Sequence, residues 1–215
     1  MTEPAHQRTT RASYDIAATA YADLLRTALD DQPYDRAMLA LFAELVRTTD
    51  AGPVADLGCG PGRVTGHLSA LGLPAFGIDL SPGMIAEARK AYPELRFTVG
   101  SMRELDLPDA GLGGVVAWYS VIHTPPEQLP VLFAEFHRVL APGSHLLLAF
   151  KAGDERVHLD QAYGHDLSLD VYWLPPDRVA ELLREAGLVV DARLVREPIG
   201  YEKSPQAYLL GHKPL

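Results

Sequence analysis

The ten residues from Val54 to Arg63, Val-Ala-Asp-Leu-Gly-Cys-Gly-Pro-Gly-Arg, constrain the fold of this chain more than any other stretch. Val54 to Leu57 is a short apolar run suited to a buried parallel strand, whereas Gly58, Gly60 and Gly62 recur too densely for the interior of a strand or helix. A tight turn follows from that spacing. Glycine at every second position lets the backbone take positive φ and approach a ligand where any Cβ would intrude. A helical pattern begins at Arg63, which sets free backbone N–H groups beside whatever the turn holds.

The spacing is G-x-G-x-G and not the dinucleotide fingerprint G-x-G-x-x-G, so the triplet alone says little. Its context says more. A second strand pattern, Ala75 to Ile78, ends in Asp79, about twenty residues on, where an acid of a nucleoside-binding α/β fold grips ribose hydroxyls. Strand, glycine turn, helix, strand and acid together describe a nucleoside cradle. With Asp56 ahead of the glycines, D-x-G-x-G-x-G resembles the first motif of class I S-adenosylmethionine-dependent methyltransferases, and Gly77-Ile78-Asp79-Leu80-Ser81 resembles their second. The resemblance runs through most of the chain and is to the small-molecule branch. It implies S-adenosylmethionine as cofactor. It also implies a Rossmann-like sheet of seven mostly parallel strands with helices on both faces, the last strand antiparallel.

The apolar periodicity agrees with an α/β fold. From Val54 onward, strand patterns at 54–57, 75–79, 95–99, 114–119 and 144–150 alternate with helical patterns at 63–70, 82–91, 125–140 and 176–186, which argues for a parallel sheet. Ser81-Pro82 and Thr124-Pro125-Pro126-Glu127 read as helix starts, the second as a capping box. Two last strands are expected at 188–195 and 206–211. Two helices precede the alternation, Tyr14 to Leu29 and another after Pro33, behind a polar tail. Residues 1–50 are therefore expected to form a helical cap and 51–215 the cofactor-binding domain. Between them in function, 151–174 contains two alternating runs around Ala162-Tyr163-Gly164-His165, expected to be a hairpin inserted beside the site as a lid.

Composition narrows the partners. At 215 residues with 47% hydrophobic content, one α/β domain is expected. A formal charge of -9 argues against nucleic acid, because neutralising phosphates requires a clustered basic surface. No apolar run reaches membrane-spanning length, and the start Met-Thr-Glu-Pro-Ala-His-Gln lacks a signal-peptide core. A cytoplasmic monomer or homodimer acting on a small molecule is expected. Cys59 is the sole cysteine, so no internal disulfide can form.

Each candidate residue has a plainer reading beside the functional one. Asp79 could serve only the dipole of the following helix, but Ser81 suits that role, and a strand-end carboxylate can accept from both ribose hydroxyls. Asp56 inside a strand-to-turn segment needs a partner. The resemblance implies the α-amino end of the methionyl moiety, directly or through water; the alternative is a carboxylate that organises backbone. Gly58, Cys59, Gly60, Gly62 and Arg63 form the turn and helix start against the cofactor, Cys59 as a small structural residue with no base to make it a nucleophile. After strand three the family usually has an acid for the adenine amino group. Ser101 stands there instead and can accept that hydrogen bond without charge, which leaves adenine held more by Leu80, Met84 and Met102, or these are core filling.

Trp118-Tyr119-Ser120-Val121-Ile122-His123 lies at the carboxyl end of strand four, where the transferred methyl would project. The Asn- or Asp-Pro-Pro-aromatic motif of base methyltransferases is missing there. Tyr119 is expected at the cofactor. His123 is either a structural histidine or a general base whose ordinary pKa lies near neutrality. Tyr14 and Tyr21 share a helix face, and Tyr14-Asp15-Ile16-Ala17-Ala18-Thr19-Ala20-Tyr21 resembles the segment that closes over the cofactor in small-molecule methyltransferases, apart from a one-residue offset. His158 and His165 match no ligand pattern, so no metal is expected. Methyl transfer to a small metabolite is the leading expectation. A protein that binds S-adenosylmethionine without turnover and a nicotinamide-dependent oxidoreductase are the alternatives, the glycine spacing weighing against the second.

Overall fold

In the computed structural model, which describes residues 3–49 and 51–215, strand β1 (Val54–Leu57) is buried at all four positions. It pairs in parallel with β2 (Ala75–Asp79) on one side and β4 (Leu112–Trp118) on the other. An unbroken apolar run belongs at such a place, in a sheet covered on both faces. β3 (Phe97–Val99) extends the sheet beyond β2, and β5 (Leu140–Lys151) pairs in parallel with β4. Two more strands, β8 (Val189–Arg196) and β9 (Gln206–His212), complete the order β3-β2-β1-β4-β5-β9-β8, with β9 antiparallel to both neighbours. The expected seven-stranded, mostly parallel sheet with its last strand reversed is thus the observed one. Chain direction along the sheet switches between β1 and β4, so their carboxyl ends border the crevice where open α/β sheets bind ligands.

Side chains alternate across the sheet and fill two layers. On one face Val115, Ala117, Leu146 and Leu148 meet Leu132, Phe133 and Phe136 of α5 (Leu129–Val139) and Val179 and Leu183 of α6 (Pro176–Glu185). On the other, Val54, Val116 and Leu147 meet Phe42 and Val46 of α2 (Pro33–Thr49) and Val64 and Leu68 of α3 (Arg63–Ala70). Burying each such Leu, Val or Phe contributes about 1.5–3 kcal/mol. α4 (Pro82–Ala91) starts as its sequence predicts, with Ser81 Oγ accepting from the Met84 N–H at 3.1 Å and proline in the first turn.

Three local expectations shift. Helix α1 (Ala5–Leu25) begins at Ala5 and not at Tyr14, so the polar tail is helix. The capping box at Thr124 does not form, because Pro125 occupies the N-cap and Pro126–Gln128 turns as a 3-10 helix before α5. β4 stops at Trp118, since Tyr119 takes φ of 54°. The segment 151–174 contains a separate antiparallel pair, β6 (Glu155–Ala162) and β7 (His165–Trp173). Its two-residue turn puts Tyr163 and Gly164 at φ of 55° and 78°, the type I′ pattern that follows strand twist. Residue 50, where the boundary between cap and cofactor domain was expected, lies with residues 1 and 2 outside the described residues. α1 lies against α4 and β7. The Ser13 hydroxyl donates to the Ser168 carbonyl at 2.8 Å, and Asp15 Oδ1 accepts from Ser81 Oγ at 2.5 Å and from the Gly83 N–H at 3.0 Å.

Candidate functional site

A cavity open to solvent lies over the carboxyl ends of β1, β2, β3 and β4. Gly58 and Gly60 form its floor, Asp79, Leu80 and Met84 one wall, Ser101 and Met102 another, and Tyr119 and His123 the end beyond β4. Tyr14 and Tyr21 of α1 close it from above. Glycine is required at position 58: φ is 72°, and a Cβ there would sit 2.3 Å from the Ser120 Cβ. Four expected residues stand outside the lining. Gly62 caps α3 in the left-handed region against Phe97, Arg63 begins that helix, and Cys59 is buried against Gly77, Ile85 and Phe97. Burial pushes the Cys59 thiol well above its usual pKa, as suits a packing residue.

Asp56 is the fourth. It is fully buried beneath the turn, where Oδ2 accepts from Thr65 Oγ1 at 2.7 Å while Oδ1 has no partner among the described residues. Burial raises its pKa to about 7, against the pull of the Thr65 hydrogen bond and Arg63. An orphaned carboxylate oxygen under a glycine turn fits a cationic ligand group, although Asp56 itself does not line the cavity.

Asp79 is built differently. Its Oδ2 accepts from the Gly60 N–H and its Oδ1 from the Ser81 N–H, each at 2.8 Å. An ionised carboxyl has about four acceptor sites, so one remains on each oxygen. Two neighbouring hydroxyls of a ligand match that arrangement. Burial raises the Asp79 pKa, with the two amide bonds opposing the shift.

The hydroxyl of Ser101 departs from expectation. It already accepts from Gln7 Nε2 at 2.9 Å and from the Arg103 N–H at 3.2 Å. Its acceptor capacity is spent, and its own O–H is the group left to donate. His6 Nε2 is buried without a partner among the described residues, and burial followed by Arg103 lowers the His6 pKa. Gln7, Thr10, Tyr14 and Tyr21 recur at helical spacing along one face of α1. The tyrosine face could have been extended backwards from sequence, but the missing apolar stripe hid it. Asp15, Trp118 and Ser120 are further residues that sequence reasoning gave no role.

Tyr14 and His123 are joined. The Tyr14 hydroxyl lies 2.7 Å from His123 Nε2, and His123 Nδ1 lies 2.9 Å from the Asp170 carbonyl of β7. A carbonyl only accepts, so Nδ1 carries the proton and Nε2 accepts from Tyr14. Burial lowers the His123 pKa to about 4, helped by the Lys151 charge. Ionisation near neutrality, expected from the ordinary histidine value, is therefore corrected by the structure. Tyr21 meets Tyr14 edge to face at 5.5 Å and Tyr163 of the hairpin turn at 4.9 Å, so α1 and the hairpin share one aromatic cluster. Tyr119, like Tyr163 and Ala110, has positive φ. Positive φ in a tyrosine costs about 1–3 kcal/mol and is concentrated at functional sites. Among the described residues no group of three or more His, Cys, Asp or Glu could hold a metal ion, and no helix is long and apolar enough to cross a membrane.

Residues 54–143 match the methyltransferase-domain family. The chain is 36% identical over 153 residues to trans-aconitate 2-methyltransferase of Escherichia coli, covering 64% of this chain and 57% of that one. It is 32% identical over 120 residues to an uncharacterised methyltransferase of Mycobacterium tuberculosis, covering 54% of this chain and 47% of that one. The chain thus spans about half the length of the curated relatives it matches. In fold it resembles the DhpI complex with S-adenosylhomocysteine, with a TM-score of 0.75 at 20% identity over 99% of both chains. Magnesium protoporphyrin IX methyltransferase of Synechocystis gives a TM-score of 0.70 at 16% identity, again over 99% of both. The glycine turn, the acid at the end of β2 and the 3-2-1-4-5-9-8 sheet thus accompany a methyltransferase-domain match over residues 54–143 and a fold shared with S-adenosylmethionine-dependent methyltransferases.

Proposed function

We propose that the chain transfers the methyl group of S-adenosylmethionine to a small-molecule acceptor and releases S-adenosylhomocysteine. The observation that carries this reading is Asp79, whose two carboxylate oxygens are each held by one backbone N–H and keep one acceptor site toward the cavity. The cofactor supplies a methyl group already activated on a sulfonium, so the protein's part is alignment and exclusion of water. Asp79 holds the ribose, with Leu80, Met84 and Met102 around the adenine. Gly58 and Gly60 admit the methionyl end above Asp56. Tyr14 and Tyr21, with the 151–174 hairpin, cover the reacting atoms as a lid, and Tyr119 and His123 border the acceptor. The charge of -9 favours a small acceptor over nucleic acid and suits a cytoplasmic protein. Trans-aconitate 2-methyltransferase, among the relatives, is named for a small-molecule acceptor.

Binding to the native state alone raises stability by mass action, about 2.7 kcal/mol at a hundredfold excess over Kd. S-adenosylmethionine and S-adenosylhomocysteine should therefore raise Tm by several degrees, and NADH should leave it unchanged. A shift with NADH and none with S-adenosylhomocysteine would overturn the reading.

A further inference from the structure

Three groups near the carboxyl end of β4 limit what kind of acceptor this cavity can use. The first is His123, which has no lone pair to offer, because Nε2 receives the Tyr14 hydroxyl and Nδ1–H is spent on the Asp170 carbonyl. The second is Trp118, whose indole N–H is buried, borders the cavity and finds no acceptor among the described residues. An indole nitrogen can only donate, and a buried donor left unpaired costs about 1–3 kcal/mol. The third is Lys151 at the end of β5. It stands outside the cavity lining, half-buried and without a side-chain hydrogen bond or ion pair among the described residues; its charge acts on His123, and Glu202 and Lys203 act on it. Trp118 pairs in register with Ala149, so Lys151 lies on the same face of the sheet, two residues further on.

The remaining bases are placed elsewhere. Asp79 keeps acceptor sites, but in the reading above the ribose takes them, and His6 lines the cavity beside Gln7 at its Ser101 end, with β2 and β1 standing between β3 and β4. An alcohol or an ammonium acceptor must lose a proton to a base with a free lone pair. A carboxylate need not.

Resting on the methyl-transfer reading above, we propose that the acceptor is a carboxylate and that one of its oxygens takes the methyl group. The unpaired Trp118 N–H is the donor at the cavity that suits an anionic oxygen, and the Lys151 ammonium, whose charge acts on His123, adds positive charge at that end of the sheet. In the transfer an oxygen lone pair forms the O–CH₃ bond, the S–CH₃ bond breaks with its electron pair kept by sulfur, and no proton moves. The products are a methyl ester and neutral S-adenosylhomocysteine sulfur. One negative and one positive charge disappear together, which a partly enclosed cavity of lower dielectric than water favours.

The test uses the full-length protein, methyl-labelled S-adenosylmethionine and a deproteinised metabolite extract of the source organism. The transferred label is then treated with alkali, which frees methanol from carboxyl methyl esters but leaves methyl ethers and N-methyl groups intact. Most transferred label should become volatile. Label that is transferred yet stays non-volatile overturns the carboxylate assignment and leaves methyl transfer standing. Absence of any transfer defeats the methyl-transfer reading, and the carboxylate proposal falls with it. A second measurement separates acceptor from cofactor: Trp118→Phe and Lys151→Met should each slow label transfer tenfold or more while calorimetric affinity for S-adenosylhomocysteine stays within twofold of wild type. Loss of that affinity with unchanged transfer at saturating cofactor would overturn the role given to these two residues.

Discussion

Asp79→Ala is expected to raise the Kd for S-adenosylhomocysteine by roughly a hundredfold or more while the protein still folds. On the proposed ribose role, two charge-assisted hydrogen bonds, at about 1.5–3 kcal/mol each, would be lost at once. The structural loss is smaller. The Gly60 and Ser81 N–H groups lose their acceptor, but they lie beside a cavity that water enters, and α4 keeps its Ser81 cap. Calorimetry with the cofactor product and a denaturant titration separate the two effects. Near-wild-type affinity in Asp79→Ala would remove Asp79 from the ribose role.

The second large effect concerns stability against pH. His123, held neutral with its pKa lowered to about 4, binds fewer protons than the unfolded chain below its ordinary value of 6.5. Its contribution is present above that value and is lost as pH falls toward 4. Asp56 works in the opposite sense. With its pKa raised to about 7 from 3.8, it holds a proton in the fold that the unfolded chain has lost, so its contribution fades as pH rises through that window. Each is worth about 3–4 kcal/mol at 1.36 kcal/mol per pH unit, and in wild type they largely offset one another. Asp56→Asn should expose the histidine and lose about 3 kcal/mol, relative to its own maximum, between pH 6.5 and 4. His123→Gln should instead gain stability on acidification. Denaturant midpoints measured across this range check it, and parallel curves for the three proteins would contradict the burial of these two groups.

The sheet was legible because its signals are local. Val54 to Leu57, Ala75 to Asp79 and the glycines between them carry their own periodicity and turn chemistry, so strands and helices fall within a few residues of their expected places. Helix α1 was legible only where its apolar residues recur. Its first two turns look like a tail, because the face that would be apolar in a core helix carries His6, Gln7 and Thr10 to the cavity. The pairs that organise the site are long-range. Tyr14 meets His123 across 109 positions and Asp15 meets Ser81 across 66, and neither spacing leaves a trace in a single sequence. The tautomer of His123 depends on a carbonyl of β7, and its pKa on burial, so the ordinary value misled. Ser101 was found at the right strand end. What it accepts from was fixed by Gln7, a residue with no motif of its own.

The measurement that bears most directly on the central claim is the parallel quantitation of S-adenosylhomocysteine and of methyl label in small molecules during incubation with metabolite extract. Equal amounts of both should appear with time, in wild type and far more slowly in Asp79→Ala. S-adenosylmethionine that binds tightly and stays unchanged throughout, with no label leaving it, would contradict a methyl-transfer site at the carboxyl ends of β1 and β4.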